Sequence, residues 1–360
     1  MTGAASTADP FRTRRVVLHV AESFSSGVAS AIEAYLDAQP PDTTAVVCGY
    51  RIPGVQLSPQ VHLPVPFHEL PAGKVRQLLA IRREIARVRP DVIHIHSSWA
   101  GLMTRVLPLP RGTRVVHTPH CYGFERRDLS RPVRRVLLLA EQILGRRTDV
   151  VLACAIHEAD LARRHRIGRT VLHFPQQLPA QLRTVLGELA SQRRGASDRL
   201  VVGMSGRICA QKGASYFAAV ARGLRATAEG RDRFCLRWIG GGGPGSDEEL
   251  RAAGVEVTGW LTQYDSVKQL ADCDVYLHSG AWEGLPMTVL EAQELGLVVL
   301  ARAIAPLVAE PRGARLVEDP RDAIEALLDV ARRWPVGVDK ASQMPLSQRR
   351  AIMTAAYAAE

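Results

Sequence analysis

The sequence predicts an α/β protein built from two doubly wound domains that face each other across a central cleft. The chain has 360 residues, which is long for one core and suits two domains of similar size. Apolar strand-like runs alternate with helix-length stretches in both halves, the pattern of parallel sheets covered on both faces. Residues 181–198 are polar and charged. They are predicted to connect the domains.

The N-terminal domain is predicted over residues 1–180 and the C-terminal domain over residues 199–340. Predicted strands of the first are 15–21, 44–50, 91–97, 113–119 and 149–155, and its predicted helices lie around 27–38, 74–89, 98–107 and 132–147. Predicted strands of the second are RLVVGMSG, FCLRWIG, VEVTGW, DVYLHSG, LVVLA and ARLVED. The final SQRRAIMTAAYAAE is typical of a terminal helix.

Composition indicates a globular protein, with 46% hydrophobic and 23% charged residues. The net charge of +10 permits an anionic partner, whether nucleic acid, lipid head groups or a phosphorylated substrate. The six cysteines form no Cys-x-x-Cys pair, so free thiols in a reducing cytosol are expected. Neither a signal peptide nor a membrane-spanning run is recognised. A cytoplasmic protein is expected, with association at the inner membrane face as an extension.

The stretch MSGRICAQKGAS, residues 204–215, follows a predicted strand and precedes a predicted helix. In doubly wound sheets, ligands bind beyond the carboxyl ends of the strands. Arg207 and Lys212 would reach this region and could hold a diphosphate, one by a planar fork and one as a point charge. The stretch is not a Walker loop. Taken alone, two loop cations are more often solvated surface.

The stretch EGLPMTVLE, residues 283–291, also follows a predicted strand. Free N–H groups at a helix start form an anion site, and Pro286 is a natural first helical residue. Glu291 lies close to the apolar helix face, where a carboxylate needs hydroxyl or amide donors. Two sugar rings flanking a diphosphate would explain both Glu283 and Glu291. The simpler alternative is a solvated helix with two surface glutamates.

Together, GRICAQKG and EGLPMTVLEA resemble the retaining glycosyltransferases of family 4, which have the GT-B fold. The segments LHVAESFSSGVASAI, RPDVIHIHSSWAGL and VVHTPHCYGFE resemble the N-terminal half of that family, so the similarity covers nearly the whole chain. The resemblance implies two Rossmann-like domains, the first binding the acceptor and the second the nucleotide sugar. It also implies a terminal helix, residues 341–360, that crosses back to the N-terminal domain.

The resemblance carries roles onto individual residues. His120 and Glu283 are implied as catalytic residues beside the donor sugar, whereas His94 and His96 are expected to be structural. The implied donor-binding residues are Arg207, Lys212, Gly284, Leu285, Met287, Thr288, Glu291 and Gly27, with Trp260 and Leu261 beside the nucleotide base. Arg207 and Lys212 would hold the diphosphate, and Glu291 the ribose.

The implied reaction is transfer of a sugar from a nucleoside-diphosphate sugar, with UDP favoured, to a hydroxyl acceptor with retention of configuration. The leaving diphosphate would take the acceptor's proton, and neither metal nor another cofactor is expected. A lipid-linked or cell-envelope glycan is the favoured acceptor, with a small natural product as the alternative. A second class stays open, namely a GT-B sugar-nucleotide-binding protein or epimerase without transferase activity.

Departures from the family pattern leave the acceptor undecided. The first loop reads SSG at residues 25–27, where the family commonly has two glycines, and Cys121 follows His120 where glycine is usual.

Two motifs suggest other chemistry. Asp272-x-Asp274 has the spacing of a Mn²⁺ or Mg²⁺ ligand pair, but Asp274 more simply opens a buried strand. The glycines of WIGGGGPGS have the spacing of a dinucleotide fingerprint, but they lie mid-domain and include a proline.

Basic stretches at 74–89 and 124–144 allow two interpretations. The favoured one is a pair of amphipathic helices with arginines on the solvated face. The alternative is contact with anionic lipid or a diphosphate-linked acceptor. Nucleic-acid binding is not expected, because no recognition motif accompanies the charge.

Overall fold

A computed structural model describes residues 14–24, 26–51, 63–193, 199–336 and 343–358. The first of its two sheets has seven parallel strands in the order β3-β2-β1-β4-β5-β6-β7. Its strands are β1 (Arg15–Ala21), β2 (Thr43–Gly49), β3 (Phe67–Glu69), β4 (Val92–His96), β5 (Arg114–Thr118), β6 (Val150–Ala153) and β7 (Thr170–His173).

The second sheet has six parallel strands in the order β10-β9-β8-β11-β12-β13. Its strands are β8 (Leu200–Ser205), β9 (Phe234–Ile239), β10 (Glu256–Val257), β11 (Val275–His278), β12 (Val298–Arg302) and β13 (Arg315–Val317). Both sheets start in the middle, run to one edge and return to the other side, which is the Rossmann strand order. The predicted class, two doubly wound α/β units, is confirmed.

Helices connect the parallel strands, as right-handed crossovers require. Those of the first half are α1 (Ser26–Asp37), α2 (Lys74–Val88), α3 (Ser98–Arg105), α4 (Arg131–Gly145) and α5 (Ile156–His165), with a 3-10 turn over Gly123–Glu125. Helix α6 (Ala180–Ser191) leads to the second sheet. The rest are α7 (Ala214–Arg225), α8 (Ala228–Arg233), α9 (Glu248–Ala252), α10 (Gln263–Ala271), α11 (Met287–Glu294), α12 (Ala305–Ala309), α13 (Pro320–Arg333) and α14 (Leu346–Tyr357).

At three places in the two sheets, an aspartate that precedes a strand accepts a hydrogen bond from the backbone of the neighbouring strand. The carboxylate of Asp91 accepts the N–H of Val16 at 2.7 Å, that of Asp149 accepts from Val115 at 2.8 Å, and that of Asp274 accepts from Val201 at 2.8 Å. Each bond satisfies a backbone donor where the ladder begins. The Asp-Val pairs that open these strands therefore help to set the strand register.

The predicted strands are present, whereas the short strands β3 and β7 and the helix α5 were not predicted from the sequence. Residues 181–198 were predicted as a polar connection. The structure instead contains most of α6 there, with Leu182 and Leu186 buried in the core of the second sheet. Their four-residue spacing places both on one helix face, a pattern that the surrounding charges obscured. Residues 194–198 lie outside the described residues.

Helix α14 lies against the first sheet although it follows the second in the chain. Met353, Ala356 and Tyr357 are buried there beside Val17 and Phe174. Arg114 of β5 donates from Nε to the carbonyl oxygen of Ala356 at 2.8 Å. The end of the chain therefore joins the two halves.

Candidate active site

A cleft of about 950 Å³ lies between the two halves. It opens beyond the carboxyl ends of the central strands, where the strand order of each sheet reverses and ligands of such folds bind. The predicted site residues that line it are Gly27, His120, Arg207, Lys212, Trp260, Leu261, Glu283, Gly284, Leu285, Met287, Thr288 and Glu291. The structure thus brings the whole predicted set to one cavity. Their individual roles stay predictions.

Two loops of the second half form one wall of this cleft and are tied together. The Oγ of Ser279 donates to the carbonyl of Lys212 at 2.8 Å, and the N–H of Ala281 donates to the carbonyl of Gln211 at 2.7 Å. Gly213 has φ +71°, and a Cβ there would lie 2.0 Å from the carbonyl oxygen of Ser279. Only glycine permits this contact. The loops carrying the predicted cations and acids therefore form one unit.

Lys212 and the first acid of the motif meet in this unit. Lys212 Nζ lies 2.6 Å from Glu283 Oε1, with both side chains mostly buried. Gln211 Nε2 donates to the carbonyl oxygen of Trp282 at 3.3 Å. Arg207 lines the same cleft and is exposed. The wall thus offers one exposed cation and one cation already paired with an acid.

Glu291 lies on the buried side of helix α11. Burial raises the pKa of its carboxyl to about 7, and the charge of Lys212 opposes that rise. Nearby, Tyr276 donates from its hydroxyl to Thr288 Oγ1 at 2.6 Å. Helix α11 begins at Met287, one residue later than predicted, with Pro286 as its N-cap. The proline lacks a backbone donor and precedes the free N–H groups of the first turn.

His120 faces the same cleft from the first half, in a left-handed turn. Its φ is +52° and that of Cys121 is +98°, conformations that cost free energy for residues with side chains. The buried carboxylate of Glu158 stabilises the turn, accepting from the N–H of Cys121 at 2.9 Å and from that of Cys154 at 2.8 Å. Burial lowers the pKa of His120 to about 4, so the ring is neutral at pH 7.

Three further histidines lie behind His120 in the first sheet, and two of them form a row with it. Nδ1 of His96 lies 3.3 Å from Nε2 of His120, and Nε2 of His96 lies 3.0 Å from Nδ1 of His19. His94 contacts Tyr357 and Thr118 instead. His94 and His96 are fully buried.

Side chains from the two halves meet across the floor of the cleft. Gln176 Nε2 lies 2.9 Å from Sδ of Met287. A Cβ on Gly284 would lie 3.0 Å from the carbonyl carbon of His120. The absence of a side chain at residue 284 therefore permits the two catalytic candidates to approach.

The remaining predicted residues take less constrained positions. Trp260 and Leu261 line the cleft, and a Cβ on Gly241 would lie 2.8 Å from Cδ1 of the Trp260 ring. The fingerprint-like glycine Gly240 has φ +135° and packs on the carbonyl of Gly206. This glycine turn therefore supports the cleft wall. Of the SSG loop, Ser25 lies outside the described residues and Gly27 lines the cleft beside Met287.

Two groups among the described residues have side chains of the kind that bind metal ions. Asp274 uses its carboxylate to support strand β8, which is the simpler of the two interpretations of Asp272-x-Asp274. One group, His19, His94 and His96, has ligand atoms within 4.8 Å of one another. These nitrogens are mostly engaged in the hydrogen bonds described above, and no carboxylate joins the group.

Glu158, Gln176 and Ser279 are site residues that the sequence analysis did not find. Glu158 had a detectable signal, because an acid in the first turn of a helix after a strand is positioned to accept backbone N–H groups. Gln176 and Ser279 act through neighbours distant in the chain, which no local pattern reveals.

Two family descriptions match the chain and together cover most of it. Residues 13–175 match the Glycosyl transferase 4-like domain, and residues 199–333 match Glycosyl transferases group 1. The chain belongs to the group 1 glycosyltransferases of the GT-B type, as the sequence motifs predicted. It is a glycosyltransferase that uses nucleotide sugars.

Curated relatives are 24% identical to the chain over the aligned residues. A protein from the cps region of Klebsiella pneumoniae is 24% identical over 81% of this chain and 82% of its own length. The Escherichia coli UDP-Gal:alpha-D-GlcNAc-diphosphoundecaprenol alpha-1,3-galactosyltransferase is 24% identical, over 62% of this chain and 60% of its own. The alpha-D-kanosaminyltransferase of Streptomyces kanamyceticus is 24% identical over 74% and 78%.

Solved structures show the same fold at lower identity. Sucrose-phosphate synthase from Thermosynechococcus elongatus superposes with a TM-score of 0.69 at 16% identity, covering 96% of this chain and 93% of that one. HepE from Anabaena, in complex with UDP and glucose, has a TM-score of 0.66 at 15% identity and covers 96% of both chains. These likenesses support the GT-B fold.

Proposed function

We propose that the protein transfers a sugar from a UDP-sugar to a hydroxyl acceptor with retention of configuration. One observation carries the proposal, namely that His120 and Glu283 from opposite halves meet in the cleft that also contains Arg207, Lys212 and Glu291. Cations and a helix N-terminus would stabilise the charge of the leaving diphosphate. The leaving diphosphate would take the acceptor's proton, so the mechanism needs neither an enzyme nucleophile nor a metal ion.

The roles within the proposal follow the geometry. Arg207 would hold the diphosphate, and Lys212 would join it once the ligand competes with Glu283 for the ammonium. Glu291 would accept hydrogen bonds from the ribose hydroxyls, which would return its carboxyl to the ionised form. Glu283 and His120 would contact the transferred sugar.

A screen of nucleoside diphosphates by thermal unfolding tests the donor, because a ligand that binds only the folded state raises Tm. UDP should raise Tm more than GDP or ADP, and Arg207→Ala should reduce the rise. A matched control is Arg163→Ala, since Arg163 is exposed and forms a surface ion pair away from the cleft. A larger rise in Tm with GDP or ADP would identify that nucleotide, instead of UDP, as the one carried by the donor. No shift with any nucleotide would oppose transfer and favour another role.

A lipid-linked or cell-envelope glycan is the proposed acceptor class, supported by the net charge and by the E. coli relative, whose name specifies a diphosphoundecaprenol acceptor. The relative from S. kanamyceticus, a kanosaminyltransferase, supports the small-molecule alternative. A lipid-linked acceptor would require the protein to contact an anionic membrane at its surface. No helix among the described residues combines the length and apolarity needed to cross a bilayer.

The surface formed by helices α2, α3 and α4 supports the membrane proposal. Helix α3 contacts both α2 and α4. The large hydrophobic side chains exposed on these helices or at their ends are Val75, Leu79, Trp99, Val106, Val133, Val136, Leu139 and Ile143. They make up eight of the thirteen exposed large hydrophobic side chains in the described part of the chain. The favoured interpretation, amphipathic helices with arginines on the solvated face, did not include these exposed apolar side chains.

The charge of the same surface is complementary to anionic lipid. Helix α2 has five basic residues and one acid, and α4 has three basic residues and one acid, Glu141, that is buried against Arg105. Like charges would oppose a second copy on this face, whereas apolar side chains among arginines suit a lipid interface. Lys74 and Trp99 lie both on this surface and at the cleft, so the acceptor side would face the bilayer.

Vesicle flotation tests this contact. The protein should float with phosphatidylglycerol vesicles at low salt and less with phosphatidylcholine vesicles or at high salt. Val136→Ser with Leu139→Ser should weaken flotation. The control Val308→Ser removes an equally exposed side chain, 57% accessible, from the second half. Failure to float at low salt would remove the membrane from the proposal and leave transfer intact.

A further inference from the structure

A row of three imidazoles runs from the cleft into the first sheet. His120 lines the cleft, His96 lies behind it on β4, and His19 lies behind His96 on β1. The joining distances are 3.3 Å between Nε2 of His120 and Nδ1 of His96, and 3.0 Å between Nε2 of His96 and Nδ1 of His19. Both ring nitrogens of His96 are thus engaged. Within the described part of the chain, the hydrogen bond to His96 uses Nε2 of His120 and leaves its Nδ1 to contact a ligand.

Each imidazole in the row is neutral at pH 7 and carries one proton on its two ring nitrogens. Burial lowers the pKa of His19 to about 3 and that of His120 to about 4, and burial together with the neighbouring histidines lowers the pKa of His96 well below its usual range. A neutral imidazole has one donor and one acceptor nitrogen. The direction of one hydrogen bond in the row therefore determines the tautomer of all three rings.

The inner end of the row decides that direction. Nε2 of His19 is buried and has no hydrogen-bond partner among the described residues. Among backbone groups, buried N–H donors without an acceptor are rarer than carbonyl oxygens that lack a donor, and we extend this order to the ring nitrogens. The favoured tautomer of His19 has a lone pair at Nε2 and its proton at Nδ1, which donates to His96.

We infer that His96 is a positioning residue for His120: it donates its Nδ1–H to Nε2 of His120 and holds the proton of His120 on Nδ1. His120 then presents an N–H donor, and no lone pair, to a hydroxyl oxygen of a ligand in the cleft. The tautomer assignment is independent of the proposed function, whereas its effect on turnover rests on that function.

His94 provides a matched comparison on the same strand. It is as buried as His96 but belongs to another network, in which Nδ1 contacts the hydroxyl of Tyr357 at 2.9 Å and Nε2 contacts Oγ1 of Thr118 at 2.9 Å. Thr118 donates its own hydroxyl proton to the carbonyl of Leu152, so His94 must donate from Nε2. The His94 ring packs against that of His96, with the ring centroids 4.2 Å apart, but its hydrogen bonds go to Tyr357 and Thr118. A substitution at residue 94 therefore damages the core and leaves the hydrogen-bond partner of His120 in place.

The test is nitrogen-15 NMR of histidine-labelled full-length protein at pH 7, with the His120 signal identified by its loss in His120→Asn. Wild-type His120 should show the tautomer protonated at Nδ1. His96→Leu should shift the signal towards the tautomer protonated at Nε2, whereas His96→Asn, whose amide can donate in place of Nδ1, should restore it. His94→Leu should leave it unchanged.

Hydrolysis of UDP-glucose supplies the second measurement. His96→Leu should lower kcat about three- to tenfold, the effect of one hydrogen bond, with KM changed less than kcat. His96→Asn should recover most of the rate, and His94→Leu should keep it even where Tm falls equally. Wild-type His120 protonated at Nε2, or an unchanged signal in His96→Leu, would overturn the inference. Absent hydrolysis with the expected tautomers would instead count against the proposed function.

Discussion

At the scale of single residues, the site depends on two glutamates in different surroundings. Glu291 is buried, and the pKa of its carboxyl is raised to about 7, whereas Glu283 forms an ion pair with Lys212. Environments that differ this much suit acids with different tasks. The proposed tasks are ribose recognition for Glu291 and contact with the reacting sugar for Glu283.

Substitution separates these tasks. Glu291→Ala should weaken UDP binding about tenfold, since a hydrogen bond to a charged group contributes about 1.5 kcal/mol or more. Glu283→Ala should lower turnover strongly while preserving UDP binding, because it frees Lys212 for the diphosphate. Titration calorimetry with UDP and hydrolysis of UDP-glucose measure the two effects. Equal and negligible changes would contradict both assignments.

Glu291 should also make stability depend on pH. Its pKa near 7 in the folded chain exceeds the ordinary value of 4.5, so the unfolded state ionises first. Stability is therefore lost as pH rises from about 4.5 through 7, by about 3 kcal/mol at most. Glu291→Gln should unfold at a higher temperature than the parent at pH 8 and show little difference at pH 4.5. An equal difference in Tm at both values would show that the carboxyl does not titrate as described.

At the scale of elements, a buried ion pair joins helices α3 and α4 beneath the basic surface. Arg105 Nη2 lies 2.7 Å from Oε2 of Glu141, with both side chains almost fully buried. The guanidinium also donates to the carbonyl of Gly101 and to Thr148. Removing one partner leaves an unpaired buried charge, whereas replacing both by apolar groups avoids it.

Arg105→Met should therefore destabilise the protein by about 3–5 kcal/mol, and adding Glu141→Leu should recover much of that loss. Urea unfolding of the two variants measures the difference. Arg163→Met is the control, since its ion pair with Asp160 is exposed and should contribute below about 1 kcal/mol. A double variant as unstable as Arg105→Met would mean that the lost packing, and not the charge, sets the stability.

At the scale of the whole molecule, function requires the two halves to approach closely. Gly284 packs on the backbone of His120, Gln263 of α10 donates to Ser30 of α1 at 2.7 Å, and α14 returns to the first sheet. Such contacts hold the acceptor side and the donor side in one geometry. A displacement of about 1 Å between catalytic groups can lower the reaction rate about a hundredfold.

Gly284→Ala tests this approach. Its Cβ would meet the carbonyl carbon of His120 at 3.0 Å, so the backbone at residue 284 or at His120 must move by a few tenths of an ångström. We expect UDP-glucose hydrolysis to fall about ten- to a hundredfold, with little change in Tm because the site lies outside either core. Gly187→Ala is the control, since its Cβ meets nothing within 4 Å. Wild-type turnover in Gly284→Ala would show that this contact does not set the active geometry.

The amino-acid sequence was enough to predict the class of fold, the family and twelve of the residues that line the cleft. These predictions rest on local patterns, namely the alternation of strands and helices, the Arg207–Lys212 loop and the acid-flanked helix start. Each pattern lies within one short segment, so folding does not change which residues stand next to one another in it. Helix α6 was missed for the opposite reason, since two leucines among charges are a weak local pattern.

Contacts between residues far apart in the chain became visible in the folded structure alone. The local sequence does not reveal the pairing of Lys212 with Glu283, the hydrogen bonds from Glu158 that stabilise the His120 turn, or the exposure of apolar side chains on α4. The row from His120 through His96 to His19 is of the same kind, because it needs adjacent strands in register. A strand's side chains alternate by sequence, but their partners come from the order in which the sheet assembles.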